Sequence, residues 1–258
     1  MPRSTFRTKI VTVITICLLL GLWHLGSMLL DAAVILPTPH STLVSVWKLL
    51  QYKPLSLHLL TTIGRALQSF LIIIILGGIL GVAAGYNKLV AAALQPVVVL
   101  FKATPVMSII LLAFIWFTSG TVPIFSAFLM GFPVMFVQVE QGVHQISSQL
   151  LEMATMYRFS QKERLVHLVI PSLAPSFITG AKASLSMVWK VVIAAEVLTV
   201  PRYGVGSRLH LAQINLETAE VLAWTLIAIL LTAAGDLIFL ALLRLPQRIR
   251  QLKIKEAV

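Results

Sequence analysis

Residues 152–171 read EMATMYRFSQKERLVHLVIP, a polar and basic island between long apolar runs. Connections between membrane helices can be short. This one carries Arg158, Lys162 and Arg164 on a helical pattern, and basic connections of this kind stay in the cytoplasm. The spacing predicts a first short helix over Gln149 to Tyr157, with Leu150, Met153, Ala154 and Tyr157 on one side. A turn is expected at Arg158 to Ser160. A second helix follows over Gln161 to Ile170 and stops at Pro171, with Pro175 four residues on. Proline suits the first turn of a helix, where its missing N–H is not needed, so Pro171 also opens the next apolar run. A plain solvated linker gives no reason for apolar and acidic residues to recur with helical period. A helix-turn-helix exposed on the inner side of a membrane domain reads as a docking surface.

Working outward, the rest of the chain is membrane. Of 258 residues, 58% are hydrophobic and 11% charged, with a mean hydropathy of +0.95; a soluble domain carries roughly 25% charged residues. A membrane helix needs about 20 mostly apolar residues. Six such spans are expected, at roughly 10–30, 60–85, 92–117, 122–143, 173–199 and 220–243. The first follows Arg3, Arg7 and Lys9 like a secretory signal, but its apolar run is long and no small-residue cleavage site follows, so it reads as a retained helix. One all-α membrane domain accounts for residues 1–258, with 145–171 as its cytoplasmic loop.

The net charge of +11 is explained by where the cations fall. With the N-terminus inside, twelve Lys and Arg lie on the cytoplasmic side, five outside and three (Lys102, Lys182 and Lys190) within spans. The positive-inside rule then selects both termini inside and an even number of spans. No nucleic acid is needed to account for the charge. Among the connections, Leu43 to Leu50 is a short amphipathic segment expected on the outer surface, bracketed by Pro37, Pro39 and Pro54. Residues 200–219, with Pro201, Gly204 and Gly206, are expected to form an irregular outer loop. Arg65 reads as an interfacial anchor.

Motifs for chemistry are missing. There is no HExxH, GxSxG or Walker A sequence, the six histidines are scattered, and Cys17 is the lone cysteine. No catalytic residue, metal site or bound cofactor is expected, so energy must come from a partner or a gradient.

The loop resembles the cytoplasmic EAA segment of ABC-importer inner-membrane permeases. Glu152 matches the Glu, Ala154 the second Ala, Ser160 the small polar residue after the motif's Gly, and Ile170-Pro171 the closing pair. Leu36-Pro37-Thr38-Pro39 is similar to an LPSP sequence near the start of that family's core, and Gly142 precedes Glu152 at the expected interval. Thr179-Gly180, Trp189, Ala195-Glu196 and Gly204-Val205-Gly206 are similar to the fifth-span region of the nitrate, taurine and alkanesulfonate branch. Two positions depart: Arg158 stands where the family has Gly, and Met153 where it has the first Ala. Glycine would permit positive φ or a close backbone approach. The resemblance leaves open whether Arg158 keeps that turn or pairs with a carboxylate on the partner.

The resemblance implies a type I permease fold in a bacterial inner membrane and a homodimer with two cytoplasmic ATPase subunits that bind the ATP. An external solute-binding protein would deliver a small solute, a small anion or a vitamin precursor. Each coupling helix would lie in an ATPase groove, a mode that needs apolar anchors and a polar rim. Met153, Met156 and Tyr157 fit the anchors; Glu152 and Arg158 fit the rim. Intramembrane ions are costly and often functional. On that ground Lys102, Lys190 with its neighbour Trp189, and Glu196 are candidates for the translocation pathway, the alternative for Lys190 being an internal pair with Glu196 or Asp236. The rival to the whole reading is a stand-alone gradient-driven carrier or channel. Such carriers often show internal repeats, and none is visible here.

Overall fold

The computed structural model describes the backbone of residues 3–255 and the side chains of residue 8 and residues 10–243. The side chains of Arg3, Arg7, Lys9 and the basic residues from Arg244 onward, which carry much of the inside count, lie outside the described residues. Every regular element described is helical: α1 (Arg3–Leu30), α2 (Pro39–Leu50), α3 (Leu55–Tyr86), α4 (Lys88–Ala103), α5 (Val106–Trp116) and α6 (Val122–His144). They are followed by α7 (Ser148–Met156), α8 (Gln161–Arg164), α9 (Ile170–Thr199), α10 (Val205–Ile214) and α11 (Thr218–Lys255).

The core is three long helices, α3, α6 and α9, packed along their lengths. Lipid gives little hydrophobic drive for helix association, so close backbone approach through small residues has to supply it. Gly77, Gly81 and Gly85 place a small-residue stripe on α3 at four-residue spacing. A Cβ on Gly77 would lie 2.9 Å from Met135 Cβ, and one on Gly81 2.9 Å from the Phe136 carbonyl oxygen. Gly142 and Gly180 let α6 and α9 approach in the same way, against Ser176 and Gln138. Ile73, Met135, Val139, Val188 and Val192 fill the space between them. α1 stands apart with its sides exposed, tied by Trp23 Nε1 donating to the Pro37 carbonyl at 3.0 Å.

Four of the described helices are long and apolar enough to cross a membrane, or five if α4 and α5 together make one crossing. The expected straight span at 92–117 is broken. α4 and α5 meet at 104°, because Pro105 offers no N–H and holds Thr104 extended at φ −76°, ψ 129°. The span expected at 173–199 is the 30-residue α9. It is long enough to cross, but Lys182, Lys190 and Glu196 make it more polar than the others.

Two loop expectations also change. Residues 205–214 form α10 rather than irregular chain. The expected second helix at 161–170 does not stop at Pro171. It runs from α8 through a widened π turn, Leu165–Val169, straight into α9. Ile170 N–H reaches back to the Leu165 carbonyl, and the missing N–H of Pro171 removes the next α-type bond, which favours the wider turn. The amphipathic segment at 43–50 is α2. Thr38 caps it, its Oγ1 accepting from Ser41 N–H at 3.1 Å.

Candidate functional site

One end of the bundle carries α7 and α8. Ala154, 1% exposed, belongs to one buried cluster with Val143 of α6, Leu168 and Val169 of the π turn, and Leu173 of α9, and this cluster anchors α7. The residues around that anchor face outward. Glu152 and Arg158 are exposed, as are Met153, Met156 (84% exposed) and Tyr157 (74%). A shallow hollow beside them is lined by Leu151, Glu152, Thr155, Met156 and Arg164.

The turn after α7 keeps the geometry that a glycine would give. Arg158 has φ 53°. Arg158 N–H donates to the Thr155 carbonyl at 3.1 Å and Phe159 N–H to the Ala154 carbonyl at 2.9 Å. This pair of bonds closes a helix on a left-handed residue. Ser160 then opens α8 with a capping box: Ser160 N–H donates to Glu163 Oε2 at 2.8 Å, and Glu163 N–H returns to Ser160 Oγ at 3.3 Å. The bond from the Ser160 hydroxyl, then that from its N–H, holds the Glu163 carboxyl below the usual carboxylate range. Ser160 therefore has a local structural task, and Pro171 sits exposed just inside α9.

The opposite end holds a buried polar network that the sequence reading missed. Glu196 is fully buried. Its carboxylate accepts from Arg65 Nη1 at 2.6 Å, from Thr62 Oγ1 at 2.9 and 3.0 Å, and from Gly206 N–H at 3.0 Å. Arg65 also donates to the carbonyls of Gly120 (3.1 Å) and Tyr203 (2.8 Å). Val205 N–H donates to Thr62 Oγ1 at 3.0 Å, and His58 Nδ1 lies 3.1 Å from both the amide nitrogen and the carbonyl oxygen of Gly204. The first turn of α10 thus aims its amides at α3 and at Glu196, where a helix N-terminus favours negative charge. Gly204 and Gly206 are needed for closeness, since a Cβ on Gly206 would lie 2.6 Å from Glu196 Cβ. Between the two elements Val200 is held at φ 42°, a strained setting for a β-branched residue.

Rather than acting as a free interfacial anchor, Arg65 is the partly buried partner of Glu196. A signal was present: His58, Thr62 and Arg65 recur at four- and three-residue spacing on one face of an apolar helix. Outside this network, Arg208 pairs with Glu220 at 3.3 Å, Glu220 accepts from Trp224 Nε1 at 3.0 Å, and Arg208 stacks over Tyr52.

The four pathway candidates fall in different places. Lys102 and Lys190 are exposed. Trp189 is 3% exposed with its indole ring against Gly235, and Glu196 is closed in the network with Arg65 rather than with Lys190.

A family model described as "Binding-protein-dependent transport system inner membrane component" matches residues 73–250. The chain is 26% identical over 212 residues to a putative aliphatic sulfonates transport permease protein of Bacillus subtilis, covering 81% of this chain and 76% of that one. It is 25% identical over 224 residues to the taurine transport system permease protein of Escherichia coli, covering 84% and 81%. It is 22% identical over 197 residues to the nitrate import permease protein of Synechococcus elongatus, covering 72% and 70%.

Proposed function

The chain belongs to the family of binding-protein-dependent transport system inner membrane components and is a permease subunit of an ABC importer, and on that premise we propose that two copies work with two cytoplasmic ATPase subunits and an external solute-binding protein. Both termini and residues 145–171 face the cytoplasm in this reading. α7 is the coupling helix: Met153, Met156 and Tyr157 enter a groove on the ATPase, with Glu152 and Arg158 at its rim.

The observation that carries the assignment is the seating of α7. Its apolar tip is exposed while Ala154 is buried in the cluster that includes Val143 of α6 and Leu173 of α9. A push from the ATPase on the exposed side is therefore delivered to two of the three core helices at once. At the far end of the bundle, α3, α9 and α10 are tied through Arg65, Glu196 and Thr62, so α3 and α9 move together. ATP is bound by the partner and the permease holds no cofactor. The solute is a small anion or vitamin precursor, a reading supported by relatives whose names carry sulfonates, taurine and nitrate and by Lys102 and Lys190, which form no ion pair among the described residues.

Tyr157→Ala and Glu152→Lys test the assignment. Each is expected to reduce co-purification of the ATPase and abolish solute-stimulated ATP hydrolysis, with the permease still folded in the membrane. If association and stimulation both survive, α7 is not the coupling helix.

A further inference from the structure

α9 has two unlike faces. Gly180, Ala181, Ser184, Leu185, Val188 and Val192 are buried in the bundle. The opposite side carries Thr179, Lys182, Ser186 and Lys190, spaced by three, four and four residues, which is a single stripe on a helix. Thr179, Lys182 and Lys190 are exposed and Ser186 is half-buried. Among the described residues neither ammonium is in an ion pair: Glu196 and Glu220 are paired with Arg65 and Arg208, and Asp236, the other acid open to Lys190, forms no ion pair and keeps a buried Oδ1 without a hydrogen bond. The lysines are about 12 Å apart along the axis at 1.5 Å per residue and bracket the middle of the 30-residue helix.

Hydrocarbon does not accommodate such a stripe, since charges at this depth face water or a counter-charge. A dry seam with a second copy would bury unpartnered like charges, which is worse. We propose that Thr179, Lys182, Ser186 and Lys190 form a cationic, water-lined track between two permease copies, along which a small monoanionic solute steps from one lysine to the other. Lys182 thereby becomes a pathway residue beside Lys190. The proposal rests on the permease reading above, and its test needs no ATPase, so the two can fail separately.

The test places a thiol between the lysines, Ser186→Cys in a Cys17→Ser full-length chain held in lipid nanodiscs with both faces open. Methanethiosulfonates react with thiolates, which form in water and not in hydrocarbon. The anionic 2-sulfonatoethyl reagent, itself a small sulfonate, is compared with the cationic trimethylammonium reagent, each normalised to a free thiol. We expect the anionic reagent to react about tenfold faster, as two nearby cations would cause, and Lys182→Met with Lys190→Met to bring the ratio near one. Thr179→Cys supplies a second position on the stripe with the same expected preference. Thiols inert to both reagents would overturn the track, as would a ratio near one with both lysines present.

Discussion

Glu196 shows why one residue can be unreadable from its neighbours. In sequence it is an acid near the end of an apolar run, open to a pathway role or to a pair with Lys190. Its partners Thr62 and Arg65 are 134 and 131 positions away, and no local pattern connects them. The geometry decides the matter, because both of its oxygens are engaged by protein donors and the side chain has no exposed surface. A buried ion pair is weak evidence of net stabilisation, but removing one partner leaves an uncompensated charge. Arg65→Met should therefore lower stability by about 3–5 kcal/mol, seen as a lower thermal midpoint of the purified permease. Adding Glu196→Gln should recover most of the loss, since the amide still accepts from Thr62 and Gly206. An Arg65→Met protein as stable as the parent would mean that the pair does not hold α3, α9 and α10 together at this end of the bundle.

At the scale of the element, most of what was legible was periodic. α2, α3, α6 and α7 lie within a few residues of their expected positions, because burial on one face imposes a spacing that survives without knowledge of the partner. The bend at Pro105 was not legible, since a proline in a long apolar run is compatible with either a kink or a passage straight through. α10 was hidden because Gly204 and Gly206 look like breakers, whereas they are there to let Glu196 approach. The turn after α7 gave the opposite surprise: Arg158 takes the left-handed conformation that the family leaves to glycine. That setting costs a non-glycine residue about 1–2 kcal/mol, partly offset by the roughly 0.4–1 kcal/mol that glycine loses through the freedom of the unfolded chain. Arg158→Gly should thus tighten the end of α7, slowing hydrogen exchange at the Phe159 amide by about threefold. Faster exchange there would show that the arginine side chain, not the backbone bonds, holds the turn. Transport moves the other way if Arg158 meets a carboxylate on the ATPase.

On the proposed reading the whole molecule is a lever, and its two ends are built differently. The end that carries α7 is held by small apolar contacts around Ala154 and leaves Met153, Met156 and Tyr157 exposed. The opposite end is locked by charge and hydrogen bonds that hold α3, α9 and α10 in one piece. Glycine stripes let the three core helices pack closely between the two, a packing that in the proposed mechanism passes displacement from one end to the other. The most direct test of this account is a photo-crosslinking amino acid placed at Met156 and, separately, at Leu43 on the outer helix α2. In cells expressing the assembled transporter, position 156 should capture the ATPase subunit and position 43 should not. A silent position 156, or capture of the ATPase from position 43, would contradict the account.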